Sequence, residues 1–525
     1  MPLFLGRRKL LAQLRAAWGR PGAKDGWQAS RYFDLTRSAS AAGCVDDKTW
    51  IDLEWPAIFA RIDSTLTTIG SQVLYRNLRS YVDAKEELDQ RYAHFVELQR
   101  NRPLREDIQV RLEPLGRRTS VADVAELIFG IPAHKPPGHH LLLFLCALSF
   151  AVPAAVVLLH WPVTLWFAVL GVNAATVFFF TPKLQRVIES LENCSHMLRV
   201  ADDIASLQAG SSLPLIQRLV RESPRRAHAR RQLSWFALSR DQQLISAITF
   251  WLNVLLLLDC VACLRVIDRL GAIREELGSA FEAIGALDAA TALASMLQRL
   301  PGHCVPVVSA DAAIELVDAY HPLIEDPVRN SLYLHGRSAL VTGSNMAGKT
   351  TFIKVVGINI VLARTVGFCL ATRASVPHSG VMASIRSDQS VEQGRSRYFS
   401  EIEAILAFLR AARAGSCRVF LIDEIFSGTN TVERVAAARA VLETLSADAQ
   451  VLATTHDVEL QLQLQPRFDL YHFRERVDIE GFFDYRLLPG PATERNAIRL
   501  LARLGFPEEV VEKALRYANE KGPPT

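Results

Sequence analysis

Residues 338–354 read SALVTGSNMAGKTTFIK, and this stretch decides the fold. Residues 338–341 are a short apolar run that suits a buried strand; a glycine-bearing turn follows, then a stretch of helical pattern. The turn carries G-x-x-x-x-G-K-T at Gly343, Gly348, Lys349 and Thr350. That spacing has a physical reason. The glycines let the backbone turn its N–H groups towards phosphate oxygens, and the helix behind them points its N-terminus at the same place. Lys349 would reach the β and γ phosphates, and Thr350 would offer its hydroxyl to Mg²⁺.

Two later runs complete a site around that loop. Residues 419–430 read VFLIDEIFSGTN, and the apolar part delivers Asp423 and Glu424 to the tip of a buried strand. Two carboxylates there have little structural reason to exist. Asp423 would hold Mg²⁺, directly or through water, and Glu424 would position or deprotonate an attacking water. Residues 451–457 read VLATTHD. A lone histidine is usually structural; the place of His456 behind a third strand-like run gives it the role of γ-phosphate sensor. Such runs alternating with helical stretches describe one α/β nucleotide-binding domain.

The remainder is of a different kind. At 525 residues the chain allows several domains, and a net charge of +4 names no partner. Hydrophobic residues make up 50%, with a mean hydropathy of +0.13, high for a soluble protein. Among eight cysteines only Cys260 and Cys263 form C-x-x-C, with no second pair to complete a metal site, so they read as core residues. Arg7, Arg8 and Lys9 open a basic stretch with no apolar run or cleavage site behind it, so no signal peptide is expected. Leu10, Leu11, Leu14 and Trp18 share one side of that stretch, which suits an anionic membrane surface and an ordinary packing helix equally.

Residues 136–182 contain no Asp, Glu, Lys or Arg. The apolar stretches 141–159 and 163–180 each approach the length that crosses roughly 30 Å of hydrocarbon. Arg117, Arg118 and Lys135 precede the pair, and Lys183 and Arg186 follow it, which suits a hairpin with both ends in the cytoplasm. The other reading is a buried hairpin in a soluble core, but such helices usually keep a polar stripe. Arg221, Arg225, Arg226, Arg230 and Arg231 form a basic cluster, read as a solvated face or as a contact for DNA phosphates or anionic lipid. A third apolar run, 244–267, contains Asn253, Asp259 and Arg265. A mid-membrane charge costs about 2.5–3.5 kcal/mol, and an odd number of spans would part the segments flanking the hairpin, so this run is expected as a core helix.

Residues 49–80 add D-x-T-x-T-x-x-G at Asp63, Thr65, Thr67 and Gly70, followed by Leu74 and Leu78. This resembles the start of the core domain in MutS-type proteins. The resemblance is more specific further on. TGSNMAGKTT resembles the MutS-family loop TGPNMGGKST, including the Asn345–Met346 pair. GRSRYFSEI resembles GRSTFMVEM; its Ser396 precedes a helix expected to carry Phe399, Ile402, Ile405, Leu406 and Leu409 on one face. LIDEIFSGTN resembles MDEIGRGTS, and ATTHD resembles FATHY. His321 and Pro322 with Asn330, and the ending LPGPATERNAIRLLARLGFPEEVVEKA, resemble the family's approach to this domain and its closing helix-turn-helix. The likeness is good over 303–516 and loose over 49–100 and 184–300. It implies a fold like the ATP-binding cassette ATPases, working as a dimer in which the signature serine, here Ser396, reaches the γ-phosphate of the other subunit. An ABC transporter fits less well, since no LSGGQ-type signature occurs and only two spans are expected.

This sequence also departs from the family. About 60 residues precede Asp63, too few for the mismatch-reading and connector domains. The apolar hairpin stands where soluble relatives extend long levers and a DNA clamp, and Pro327 stands where many place an aromatic near the adenine. The expected architecture is thus that of a membrane-anchored MutS-related subfamily. An N-terminal basic helix and linker fill 1–48, a MutS-like all-α core fills 49–135 and 183–300, a transmembrane helical hairpin is inserted at 136–182, and an α/β P-loop NTPase domain fills 301–525. ATP would bind against Gly343, Ser344, Asn345, Met346, Ala347, Gly348, Lys349, Thr350 and Thr351, with Mg²⁺ on Thr350 and Asp423. Glu424, His456, Lys349 and Ser396 would carry catalysis. The protein is expected as a homodimer in the plasma (inner) membrane, multi-pass, with its ATPase domain in the cytoplasm and DNA as partner. The alternative is a non-repair membrane switch that turns the same motor on a protein or lipid.

Overall fold

A computed structural model describes residues 2–22, 28–37, 43–116, 124–131, 139–207, 213–234, 251, 254–309, 313–344, 347–385, 397–426, 430–475, 483–491 and 505–520. In chain order the helices are α1 (Pro2–Ala17), α2 (Arg31–Thr36), α3 (Asp47–Asp52), α4 (Trp55–Ile62), α5 (Thr68–Arg79), α6 (Lys85–Arg100), α7 (Arg102–Gly116), α8 (Val124–Phe129), α9 (His139–Leu158), α10 (Thr164–Ala205), α11 (Pro214–Arg221), α12 (Ser223–Gln232) and α13 (Leu258–Arg299). Then come β1 (Val307–Ser309), β2 (Ala313–Ala319), β3 (Asn330–His335), β4 (Ser338–Thr342), α14 (Lys349–Thr365), β5 (Arg373–Pro377), β6 (Val381–Ser384), α15 (Arg397–Arg413), β7 (Val419–Asp423), α16 (Thr431–Asp448), β8 (Gln450–Thr455), α17 (Val458–Leu464), β9 (Phe468–Glu475), β10 (Phe483–Pro489) and α18 (Glu508–Glu520).

The chain divides into two units, one of Met1–Arg37, Ala60–Arg76 and Ala93–Arg299, the other of Ser38–Phe59, Asn77–Tyr92 and Leu300–Thr525. This division cuts across the expected boundaries: 38–59 and 77–92, expected in the linker and helical core, group with the C-terminal unit.

In the C-terminal unit a six-stranded sheet has the order β10-β9-β4-β8-β7-β6. Only β10 runs antiparallel to its neighbour. Parallel strands of this kind are covered on both faces, and β4, β7 and β8 are accordingly buried along their whole length. On one face Phe420, Ile422, Val451 and Ala453 meet Ile405 and Phe408 of α15 and Ala438, Leu442 and Leu445 of α16. On the other lies α14, close enough that a Cβ on Gly357 would stand 2.7 Å from Leu421. A second sheet of four strands, β1-β5-β2-β3, is mostly antiparallel. The apolar face expected on α15 splits: Ile405 and Phe408 are buried, whereas Phe399, Ile402 and Leu406 are exposed. The 3.6-residue period separates these two sets onto different sides of the helix.

In the other unit the D-x-T-x-T-x-x-G stretch is an anchor. Asp63 accepts hydrogen bonds from Thr65 and Ser71, and the Thr67 hydroxyl accepts from the Gly70 N–H at 2.8 Å, at the start of α5. Asp288 of α13, fully buried, accepts from the N–H groups of Leu66 and Thr67 at 2.9 and 2.8 Å and from the Thr67 hydroxyl at 2.7 Å. A Cβ at Gly70 would lie 2.2 Å from the Asp288 carboxylate, which is why glycine stands there. Leu74 and Leu78 are fully buried behind it. Asp288→Ala strands three buried donors and should cost about 3 kcal/mol or more, read as a fall in the urea midpoint.

The basic N-terminal stretch is a packing helix. Leu14 is buried, the Arg105 guanidinium stacks 3.6 Å over the Trp18 ring, and Arg15 grips Glu106 of α7 by two 2.8 Å bonds. Arg15, helped by Arg102, holds the Glu106 carboxyl down at about 2 from its ordinary 4.5. A depressed carboxylate stabilises above its unfolded value and loses that contribution as pH falls towards the folded one. The melting-temperature gap between the native protein and Glu106→Gln should therefore be constant above pH 5 and close between about pH 4.5 and 2.

The charge-free region forms α9 and the start of α10. Leu142, Leu145, Ser149 and Val152 make the buried seam of α9, while Phe144, Phe150, Val157, Phe167 and Phe178 are more than half exposed. The apolar window of α9 has a mean hydropathy of 2.7 and is only 22% buried. The second stretch is not a separate helix: α10 runs 42 residues without interruption from Thr164 to Ala205. Among the described residues two helices could cross a membrane by length and composition, α9 and the Val261–Arg299 part of α13, but the apolar part of the latter is 89% buried. In the C-x-x-C, Cys263 is buried, and among the described residues no cluster of His, Cys, Asp and Glu could hold a metal.

Candidate active site

Three parallel strands, β4, β8 and β7, lie side by side, and their carboxyl ends carry the loop, His456 and the two carboxylates. This is where open parallel sheets bind ligands. Gly343 at φ 139 and Gly348 at φ 102 adopt backbone that other residues rarely take. A Cβ at Gly343 would stand 2.8 Å from the Phe473 carbonyl, so the strand–loop junction has no room for one. Gly348 caps α14 and makes no side-chain capping bond there.

Lys349 is buried. Its ammonium donates to the Gly343 carbonyl at 2.6 Å and lies 3.8 Å from Glu424. The Thr350 hydroxyl donates to Asp423 at 2.9 Å, and the Thr454 hydroxyl donates to the other Asp423 oxygen at 2.6 Å. Thr454 also accepts from the Glu424 N–H at 3.0 Å. One β8 hydroxyl therefore fixes both acidic residues. Glu424 has φ 51, a strained conformation for a non-glycine, and its carboxylate sits 3.6 Å from His456 Nδ1. His456 is half exposed, and the residue after it, Asp457, is clamped by Arg434 through bonds of 3.0 and 2.8 Å.

Beside the loop is a cavity of about 430 Å³, bordered by His321, Pro327, Phe352, Phe473 and Tyr485, with Thr350 and Thr351 on its wall. Asn330 on β3 positions Tyr485: its amide donates to the Tyr485 carbonyl at 2.9 Å and its oxygen accepts from Leu487 N–H at 2.8 Å. The ring ends 3.4 Å from where a Gly348 Cβ would be.

Residues 339–521 match the family model for MutS domain V. The chain is 33% identical over 257 residues to the endonuclease MutS2 of Pelotomaculum thermopropionicum, covering 46% of this chain and 31% of that protein. It is 33% identical over 246 residues to an endonuclease MutS2 of Thermus thermophilus, 46% and 32% of the two chains. It is 32% identical over 257 residues to the DNA mismatch repair protein MutS of Thermus aquaticus, 48% and 31%. These matches support the MutS family. The chain spans about a third of the length of these relatives.

Within the region that matches MutS domain V the structure brings together Gly343, Ser344, Ala347, Gly348, Lys349, Thr350, Thr351, Asp423, Glu424 and His456; Asn345, Met346 and Ser396 lie outside the described residues. The residues fit a nucleotide and a hard cation. Among the described residues the buried Ser344 hydroxyl has no hydrogen-bond partner; it lies beside a helix N-terminus, and a hydroxyl plus a carboxylate suit Mg²⁺. The sequence reading missed Thr454, Asn330 and Tyr485. Thr454 was visible in ATTHD, two residues before His456, where the apolar part of the strand ends. Tyr485 had no local signal, because only the antiparallel return of β10 brings it to the loop.

Proposed function

We propose that this chain is a membrane-anchored ATPase of the MutS type, working as a dimer switch and acting on DNA. The observation that carries it is the ordered contact of Lys349, Thr350, Asp423, Glu424 and His456 at the ends of three parallel strands. Lys349 would exchange its Gly343 carbonyl for the terminal phosphates. Thr350 and Asp423 would hold Mg²⁺, which supplies charge neutralisation on those phosphates when bound. Glu424, fixed through its backbone by Thr454, would orient the attacking water and accept its proton, with His456 beside the same carboxylate as γ-phosphate sensor. The exposed Phe399, Ile402 and Leu406 on α15, directly behind Ser396, suit a face that a second copy covers when Ser396 completes the partner's site. The exposed apolar surface of α9 and early α10 supports the membrane anchor.

Tyr485 would stack on the base in place of the aromatic that Pro327 does not supply. Tyr485→Ala should weaken ATP binding about tenfold with turnover at saturation nearly unchanged, measured by nucleotide titration and steady-state kinetics.

The deciding experiment is hydrolysis and DNA binding by the detergent-solubilised protein, with duplex, mismatched and branched DNA at graded salt. Affinity that falls steeply with salt supports DNA as the partner. Hydrolysis without any salt-dependent DNA binding would replace that part of the reading with a switch acting on a protein or lipid.

A further inference from the structure

The hairpin has a third companion. Asn173, fully buried, lies at the middle of the second apolar stretch, and Ser149 lies at the middle of the first. The Asn173 amide donates to the Ser149 hydroxyl at 2.7 Å and to the carbonyl of Leu255 at 3.0 Å. Leu255 belongs to the run expected as a core helix. It stands just before a break in the chain: Leu257 has φ 55 and is fully buried, and α13 begins at Leu258. A helix that breaks leaves carbonyls without partners. In hydrocarbon each one costs several kcal/mol, and irregular backbone is tolerated only where protein covers it. Leu255 and Leu257 meet both conditions, one through the Asn173 amide and the other through burial.

We infer that residues 254–267 form an arm that lies within the bilayer beside the hairpin, with the break at Leu257 at mid-depth and Asn173 as the positioning residue that holds it there. The inference rests on the membrane reading above. Distances along the chain agree with it. Asn173 is nine residues from the start of α10, about 14 Å of helix, and Arg265 is ten residues from Leu255, about 15 Å; both match half of a 30 Å hydrocarbon layer. Arg265, Asp268 and Arg269 then begin at the headgroup level, where Arg265 is exposed. Val261, Cys263, Leu264 and Val266 are buried, and α13 packs on both α9 and α10, so protein lines the arm.

The test is nitroxide depth measurement on the full chain in nanodiscs of mixed zwitterionic and anionic phospholipid. Single cysteines at Val254, Val172, Val157 and Ser309 are labelled on a cysteine-free background that still binds nucleotide. The arm requires Val254 to share the depth of Val172, with oxygen collisions favoured several-fold over those of a water-soluble nickel complex. Ser309 should show the opposite ratio and Val157 a shallower depth. If Val254 behaves like Ser309 while Val172 stays protected, the arm is refuted and the hairpin stands. If Val172 is also open to the nickel complex, the membrane reading itself falls, and the arm with it. Asn173→Leu should leave Val172 in place and move the Val254 label outward with greater mobility, and Asn173→Gln should restore part of that depth. An unchanged Val254 depth in Asn173→Leu would overturn the role given to the amide.

Discussion

Glu424→Gln will bind ATP with little loss and hydrolyse it about a thousandfold more slowly. The substitution keeps the side chain's shape and removes only its capacity to take a proton. Glu424 is fixed through its backbone, whose N–H donates to Thr454, so the strained turn at the end of β7 survives the exchange. Thr350 still reaches Asp423, and Lys349 keeps the Gly343 carbonyl, so the phosphate-facing groups stay in place. Equilibrium binding of a fluorescent nucleotide and single-turnover hydrolysis separate the two steps. Turnover within tenfold of the native protein would remove Glu424 from its assigned role.

Lys349→Ala acts on the other step, with nucleotide affinity expected to fall about a hundredfold or more as a buried charge-assisted contact is lost. Lys349 also ties the two ends of the loop together across Gly343. The same variant reports on the dimer. Ser396→Ala should bind ATP and turn over poorly, because on the proposed dimer its serine would serve the other subunit's site. Mixing the two inactive variants creates one site with both the lysine and the serine intact. Random exchange should then restore up to about a quarter of native activity. No recovery in a mixture whose subunits demonstrably exchange would mean that the site is not shared.

The loop, the carboxylate pair and the histidine were legible in the sequence for one reason. A parallel strand must be apolar throughout, so a charged or hydroxyl residue at its end stands out, as Asp423 and Glu424 do behind VFLI. Groups that reach the site from elsewhere left no such mark. Asn330 works on β10 across 155 residues of chain, and Tyr485 borders the cavity beside the loop through the antiparallel return of that strand. Helix boundaries were harder still. Apolar composition located the hairpin but not the fusion of its second half with the following helix, because a helix crosses from apolar to amphipathic sequence with no change in backbone. The run from 244 was weighed by its charges and by the parity of spans. The contact that places its described part, Asn173 with Leu255, joins residues 82 apart. The single face drawn on α15 failed because it spans about a third of a turn: Ile405 at one edge joins Phe408 in the core, whereas Phe399 at the other edge, with Leu406 and Ile402 beside it, is exposed.

The unbroken length of α13 makes it a lever without a joint. Its 42 residues span about 63 Å, and Asp288 lies about 45 Å from Leu258. Its first turns pack on the hairpin, and its far part holds Leu66 and Thr67 through a buried carboxylate. Helices in a bilayer adjust to its thickness by tilting. A 5° tilt about the membrane end would carry Asp288 through about 4 Å, more than a hydrogen bond can stretch, so α5 must travel with it. On the proposed membrane reading, acyl-chain length would be a mechanical input to the helical unit, and changing it at constant headgroup would shift the resting position of α5 without any ligand.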